Sequence, residues 1–164
     1  MRVRPTSAGP TPALPAALLA VLLLLPVGIA SAQEPVRESR SVPAFTAVEG
    51  AVPGTLHLRQ GDSHSVEVEA PPAVLDRIVT SVSGNTLEIS TEGSSGLSRV
   101  LSGDTRATDA VQVFVTAPRI RALTQAGSGQ VVGASRLEAS SLSLTVAGSG
   151  GMEVEVTAET LDVS

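Results

Sequence analysis

A short phrase occurs twice near the C-terminal end of this chain. LTQAGSGQVV begins at Leu123 and LTVAGSGGME begins at Leu144, so Gly127 and Gly148 are 21 residues apart. A repeat of about 20 residues, built from short strands and glycine corners, is typical of a β-solenoid. One such coil cannot bury its apolar side alone, but stacked coils bury it together. The repeat therefore predicts an all-β fold in which equivalent strands of successive coils pair.

The glycines of the repeat are predicted to form the corners of the coils. The predicted corner residues are Gly127, Ser128, Gly129, Gly148, Ser149 and Gly150. Glycine suits a sharp turn with positive φ that lies close to the next coil, and serine can bond to the local backbone. A third copy starts at Leu161, which aligns with Leu142, but its corner would fall beyond Ser164. Residues 161–164 are thus predicted to form an edge strand through which the chain could self-associate.

The N-terminus has the pattern of a secretory signal peptide. A basic start, Met1 to Arg4, precedes an apolar run over 13–29 and the A-x-A sequence Ala30-Ser31-Ala32. This pattern predicts cleavage after Ala32, and two prolines within the run disfavour a membrane anchor. A signal peptide specifies export but not the destination, which can be the periplasm, the outer membrane surface or the extracellular space.

Composition narrows the classes of partner. Removal of Arg2 and Arg4 changes the net charge from −5 to −7, and the chain contains no lysine. Such an acidic protein is a poor nucleic-acid binder, because phosphate contacts need a basic face. There is no cysteine, tyrosine or tryptophan, and the aromatic residues are Phe45 and Phe114. Sites for sugars or flat ligands usually stack them on aromatic rings, and this chain has almost none, so no cofactor is expected.

Alternation of apolar and polar residues extends over most of the remaining chain. Thr55–Arg59, Ser65–Ala70, Thr86–Ser90 and Val111–Val115 each read as a half-buried strand. One segment, 71–76, could hold a helical turn. Polar residues 33–40 are predicted to be a disordered lead-in, and the Gly- and Ser-rich segment 91–110 a long flexible loop. Residues 41–164 are the predicted domain.

These segments together resemble the head GIN domain of the putative auto-transporter adhesins. The resemblance rests on SVPAFTAVEG at 41–50, LHLRQGDSHSVEVEAPP at 56–72, NTLEIS at 85–90, VQVFVTAP at 111–118 and the two AGSG phrases. It implies a right-handed β-helix-like solenoid in bacterial envelope or secreted proteins, with a role in adhesion. It supplies no catalytic residues. The chain departs from the family at Gln130 and Gly151, where an aspartate often follows Gly-Ser-Gly.

His57 and Glu67 are the one weak candidate pair for chemistry. Suppose that 55–59 and 65–70 form an antiparallel hairpin. A three-residue loop would keep the apolar residues of both strands on one side, and it would place His57 opposite Glu67 and Gln60 opposite His64. A histidine–carboxylate pair can act as an acid and base or as half of a metal site. The alternative is an exposed cross-strand pair of small energetic value. No third ligand or nucleophile accompanies the pair, so the second interpretation is favoured and no metal site is predicted.

Three other patterns in the sequence have a structural explanation that is favoured over a functional one. Glu153 and Glu155 have the spacing of paired carboxylates, but they alternate with core positions and should face water. The glycine phrases lack the lysine of a phosphate-binding loop. Arg119 and Arg121 could hold an acidic partner, although a solvated strand face is the commoner explanation.

The sequence thus predicts an exported, non-enzymatic binding or structural module of the cell envelope. Its expected partner is a protein or polymer surface, recognised through a long flat face. The alternative is an envelope polysaccharide hydrolase or lyase on a β-helix, which would need titratable groups that meet in a concave pocket.

Overall fold

The computed structural model describes residues 34–92 and 111–164. The predicted signal peptide (1–32) and residues 93–110 of the predicted loop lie outside this part of the chain. The described residues form twelve strands and one short helix. These are β1 Val36–Arg40, β2 Ala47–Gly50, β3 Thr55–Gln60, β4 Ser65–Ala70, α1 Pro72–Leu75, β5 Ile78–Ser83, β6 Thr86–Thr91, β7 Gln112–Ala117, β8 Ala122–Gly127, β9 Gln130–Gly133, β10 Leu137–Gly148, β11 Gly151–Glu153 and β12 Val156–Val163.

The strands form two mixed six-stranded sheets. Sheet I has the order β1-β4-β7-β3-β9-β11, and sheet II has the order β12-β10-β8-β2-β6-β5. The all-β prediction is therefore confirmed. The predicted helical turn is also confirmed as α1, where Pro72 occupies the first turn and lacks the N–H that would otherwise be unpaired there.

Period-two alternation places the core on one side of each sheet. In sheet I, Leu56 and Leu58 of β3 lie level with Val113 and Val115 of β7, and all four are buried. In sheet II, Val48 of β2 is level with Leu123 of β8 and Leu87 of β6. Burial of such rows is the main stabilising term of a chain without disulfides.

The two copies of the repeat stack in parallel and in register. Leu123 of β8 lies beside Leu144 of β10, and Gly127 lies beside Gly148. The third copy continues the stack, because Leu142 of β10 lies beside Leu161 of β12. Between these strands, β9 and β11 pair in sheet I. The chain therefore passes from sheet II to sheet I and back with each copy of the repeat.

The structure does not confirm a regular β-helix. Three pairings are antiparallel, namely β1 with β4, β4 with β7, and β5 with β6. The parallel strands also do not follow chain order, because β6 and β8 lie on opposite sides of β2. Strands β2 and β3 thus have later strands paired on both sides, namely β6 and β8 beside β2, and β7 and β9 beside β3. In a regular solenoid, by contrast, each new coil adds to one end of the stack.

The prediction of a disordered lead-in is wrong for residues 36–40. These residues form β1, which pairs antiparallel with β4 from Val36 opposite Ala70 to Arg40 opposite Val66. The sequence VRESR shows no apolar alternation because β1 contributes no buried side chain to the core. Its order comes instead from backbone pairing with β4 and from polar contacts of Arg37.

Candidate functional site

The strand order separates the candidate pair His57 and Glu67. Strand β7 lies between β3 and β4, so Phe114 faces His57 on one side and Glu67 on the other. Two strand spacings separate the paired backbones, which is about 9–10 Å. The hairpin on which the candidate pair depended does not form, and His57 does not pair with Glu67. The physical reason is the packing of β7 between the two strands. Its residues Val113 and Val115 lie level with apolar residues of β3 on one side and of β4 on the other, and all of these residues are buried.

Gln60 and His64, which the same hairpin would have placed opposite each other, also have other partners. His64 precedes β4 and bonds through Nε2 to the carbonyl oxygen of Phe45 at 2.9 Å. The Gln60 side chain instead donates to the carbonyl oxygen of Pro118 at 3.0 Å and accepts from the backbone N–H of Glu138 at 2.7 Å. Gln60 thus ties the end of β3 to β10 of the other sheet.

Phe114 is the centre of the solvent side of sheet I. Its ring stacks on the His57 imidazole with centroids 4.9 Å apart and an interplanar angle of 11°. His57 Nε2 lies 2.8 Å from Oε1 of Gln112, which can only accept, so Nε2 carries the proton. These contacts fix the orientation of the imidazole.

Arg37 of β1 covers the same aromatic ring. Its guanidinium carbon lies 4.1 Å from the centroid of Phe114. The guanidinium group also donates to Glu69 at 2.8 Å and reaches Glu67 at 3.5 Å. The Arg37 side chain is 48% exposed, so the ion pairs contribute only about 0.2–1 kcal/mol. We call this surface the Phe114 face; its residues are Arg37, His57, Glu67, Glu69, Gln112 and Phe114.

Three residues of the Phe114 face, namely Glu67, Phe114 and His57, belong to a row that crosses all six strands of sheet I. Backbone register aligns Ser39, Glu67, Phe114, His57, Val132 and Glu153 in this row. Within the Phe114 face, Arg37 is paired with Glu67 and Glu69. Such a surface can contact a partner by shape, stacking and hydrogen bonding, but it offers no nucleophile beside a base.

The other carboxylates of the repeat face solvent. Glu153 and Glu155 are exposed, while Met152, Val154 and Val156 pack against the core. Glu155 lies 3.6 Å from Arg136 in an exposed ion pair. Across residues 34–92 and 111–164, no three histidine, aspartate or glutamate side chains are placed to hold a metal ion. In the same ranges, no helix has the length and apolar character needed to cross a bilayer.

The predicted corner residues lie where the chain passes from sheet II to sheet I. Gly127–Gly129 connect β8 to β9, and Gly148–Gly150 connect β10 to β11. The backbone N–H groups of Ser149 and Gly150 both donate to the carbonyl oxygen of Gly127, at 3.0 and 2.9 Å. A Cβ on Gly150 would overlap the carbonyl oxygen of Gly129. Close approach of successive corners is therefore what requires glycine here.

A family model described as "Putative auto-transporter adhesin, head GIN domain" matches residues 44–164. Among curated proteins, none matches the chain.

Solved structures share the fold at low sequence identity. A putative adhesin from Bacteroides fragilis has a TM-score of 0.69 and 18% identity over 80% of this chain. A putative lipid binding protein from Parabacteroides distasonis has a TM-score of 0.56 and 13% identity over 80% of the chain. A putative adhesin from the same species has a TM-score of 0.53 and 12% identity over 81%. The chain spans 58%, 60% and 66% of the lengths of these three proteins, respectively.

Proposed function

The chain belongs to the head GIN domain family of putative auto-transporter adhesins, and from that membership we propose that it is an exported, non-catalytic binding module of the cell envelope. The observation that carries this proposal is the continuous row of exposed and half-exposed side chains across sheet I, of which Glu67, Phe114 and His57 also belong to the Phe114 face. A surface that extends over six strands suits contact with a large partner better than enclosure of a small one.

The contacts of the Phe114 face support a role in recognition. Phe114 is one of the chain's two phenylalanines, and the other, Phe45, is buried. Aromatic and arginine side chains are over-represented at the energetic centres of protein interfaces. Here both types lie together, and each is oriented by a neighbour, Phe114 by His57 and Arg37 by Glu69. Side chains that are already oriented lose less entropy when a partner binds.

The finer architecture is part of the proposal. We interpret β8 to β12 as a short right-handed β-helix-like stack, to which β2, β3, β6 and β7 add further rungs. Parallel, in-register pairing of the repeat supports this interpretation. The stack holds the outward side chains at fixed spacing, which is what a binding surface built from strands requires.

Export is tested by producing the full-length protein in a Gram-negative host. We expect the recovered protein to begin at Gln33 and to be found in the periplasm, at the cell surface or in the medium. A protein that keeps Met1 and stays in the cytoplasm would contradict export.

Binding is tested with the purified protein on a sensor surface against mucin, collagen, fibronectin and peptidoglycan fragments. We expect binding to at least one polymer, weakened by Arg37→Ala and by Phe114→Ala. Arg136→Ala is the matched control, because it also removes one exposed arginine–glutamate pair but lies away from the face. Equal weakening by all three substitutions, or release of new reducing ends from peptidoglycan, would contradict the proposal.

A further inference from the structure

The corner between β7 and β8 carries two arginines that make no ion pair with another described residue. Arg119 and Arg121 flank Ile120, which is 2% exposed and anchors the corner in the core. Both arginine side chains are exposed, and ion pairs within the described residues involve Arg37, Arg40 and Arg136 instead. Acidic residues outnumber basic ones by 16 to 11 in this chain. Arg119 and Arg121 therefore place two cationic groups, neither in an ion pair with another described residue, two positions apart on one corner.

The two arginines line a shallow cavity of about 300 Å³. The remaining lining residues are Ala44, Phe45, Thr46, His64, Asn85 and Pro118. This lining contains no carboxylate. The three other cavities that we compared among the described residues each include a glutamate. The Arg119–Arg121 cavity is therefore the one of these four whose charged lining is entirely basic.

Backbone hydrogen bonds hold the walls of this cavity in place. The Arg121 N–H donates to the carbonyl oxygen of Thr46 at 2.7 Å, and the Thr46 N–H donates to the carbonyl oxygen of Asn85 at 2.9 Å. His64 donates through Nε2 to Phe45 and packs edge-on against its buried ring, with centroids 4.9 Å apart. Four separate segments are thus fixed around the opening, which lowers the ordering cost of binding a ligand there.

We propose that this cavity, bounded by Arg119, Arg121, His64 and Asn85, binds an oxyanion, namely a carboxylate, sulfate or phosphate group of a ligand. Guanidinium groups present paired N–H donors that match two oxygens of such a group, and these charge-assisted bonds are stronger than neutral ones. The site is separate from the Phe114 face and holds whether or not the protein acts in adhesion.

The neighbouring surface indicates what the rest of the ligand would contact. Arg119 and Arg121 also border a second cavity of about 550 Å³, whose lining includes Glu138, Ser140 and Ser141. Hydroxyl groups can bond to the two serines and to the carboxylate, whereas a second anion would be repelled by Glu138. A sugar that carries one acidic group, such as a uronate, therefore fits both cavities, and free phosphate or sulfate would use only the first.

The test is a titration of the ¹⁵N-labelled protein with D-glucuronate, inorganic sulfate, inorganic phosphate and D-glucose, at constant ionic strength. We expect at least one oxyanion to shift the amide signals of residues 119–122 with a millimolar Kd, and D-glucose to shift none. The double substitution Arg119→Gln/Arg121→Gln should raise that Kd by at least about tenfold, because it removes the charge-assisted bonds. Tighter binding of glucuronate than of sulfate or phosphate would identify an acidic sugar as the source of the oxyanion, and the reverse order would identify a sulfate or phosphate group.

The matched control is Arg59→Gln/Arg136→Gln, which changes the net charge equally outside the Arg119–Arg121 cavity. All four substituted arginines are exposed, so we expect the far-UV circular dichroism spectrum to be unchanged in each double variant. The proposal is overturned if no oxyanion shifts the amide signals of residues 119–122. It is also overturned if the Kd is unchanged in the Arg119/Arg121 variant, or rises equally in the control.

Discussion

Substitution of Gly150 by alanine tests most directly whether the corners of the repeat stack in contact. A Cβ at this position would overlap the carbonyl oxygen of Gly129 and lie 3.2 Å from that of Gly127. Both obstacles are backbone atoms, which cannot rotate away as a side chain could. The overlap can be removed only if the β10–β11 corner moves away from the β8–β9 corner.

The cost of that movement can be worked from the contacts it disturbs. Strain from an added methyl group in a packed region is about 1–3 kcal/mol. Three backbone bonds join the corners, from Ser149 and Gly150 to Gly127 and from Gly151 to Gly129, at 2.9–3.2 Å. Each contributes about 0.5–1.5 kcal/mol, and the movement would weaken rather than abolish them. Alanine recovers about 0.4–1 kcal/mol by restricting the unfolded chain. We expect a net loss of about 3 kcal/mol in the free energy of unfolding, from the sum of these terms.

The assay is urea and thermal denaturation followed by far-UV circular dichroism, because the chain lacks the tryptophan and tyrosine that fluorescence would need. A loss of about 3 kcal/mol corresponds to a fall in Tm of roughly 10 °C for a domain of this size. Gly151→Ala is the adjacent control. Its Cβ would meet nothing closer than the Gln130 side chain at 4.0 Å, so the change should stay within about 1 kcal/mol. Equal stability of the two variants would refute the conclusion that the corners are in contact.

Three further predictions concern the strands. Leu142→Ala should cost about 2–5 kcal/mol in chemical denaturation, whereas Leu161→Ala should cost less than about 1 kcal/mol. The two residues lie side by side, but Leu142 is 1% and Leu161 49% exposed, and similar losses would contradict that difference. Arg37→Ala should speed hydrogen exchange in residues 36–40 while lowering global stability by no more than about 1 kcal/mol; unchanged exchange would show that Arg37 does not hold β1. For self-association through 161–164, light scattering should show assembly of the wild type and a monomer for Leu161→Lys, and two monomers would contradict it.

Much of the fold follows from local patterns. The alternation in Ser65–Ala70 and Thr86–Ser90 predicts strands that the structure contains as β4 and β6, and the repeat predicts the register of β8 with β10. The signal in these cases is strong because one side of each strand is buried, and burial enforces the period. Residues 36–40 escaped prediction for the same reason, since an edge strand without buried side chains leaves no period to detect.

The Phe114 face could not be assembled from the sequence. His57, Glu67, Phe114 and Arg37 come from four strands, and parity correctly places the first three on one side of their strands. The prediction failed at the choice of neighbour, because β7 comes from far along the chain and lies between β3 and β4. The apolar alternation of Val113 and Val115 was the available indication that β7 could pair with either strand, because it matches the apolar residues of β3 and β4 equally well. The Arg119–Arg121 cavity could not be predicted from the sequence either, because His64 and Asn85 come from distant segments of the chain.

The sequence by itself determined the secondary structure class, the inward side of most strands and the positions where successive copies of the repeat meet. These properties depend on local backbone preference and on which side chains must leave water, and both are written in short windows of sequence. The tertiary structure alone decided which strands are neighbours, and with them the Phe114 face and the arginine-lined cavity. Many strand orders bury the same apolar rows, so the choice among them depends on packing and chain connection summed over the whole domain.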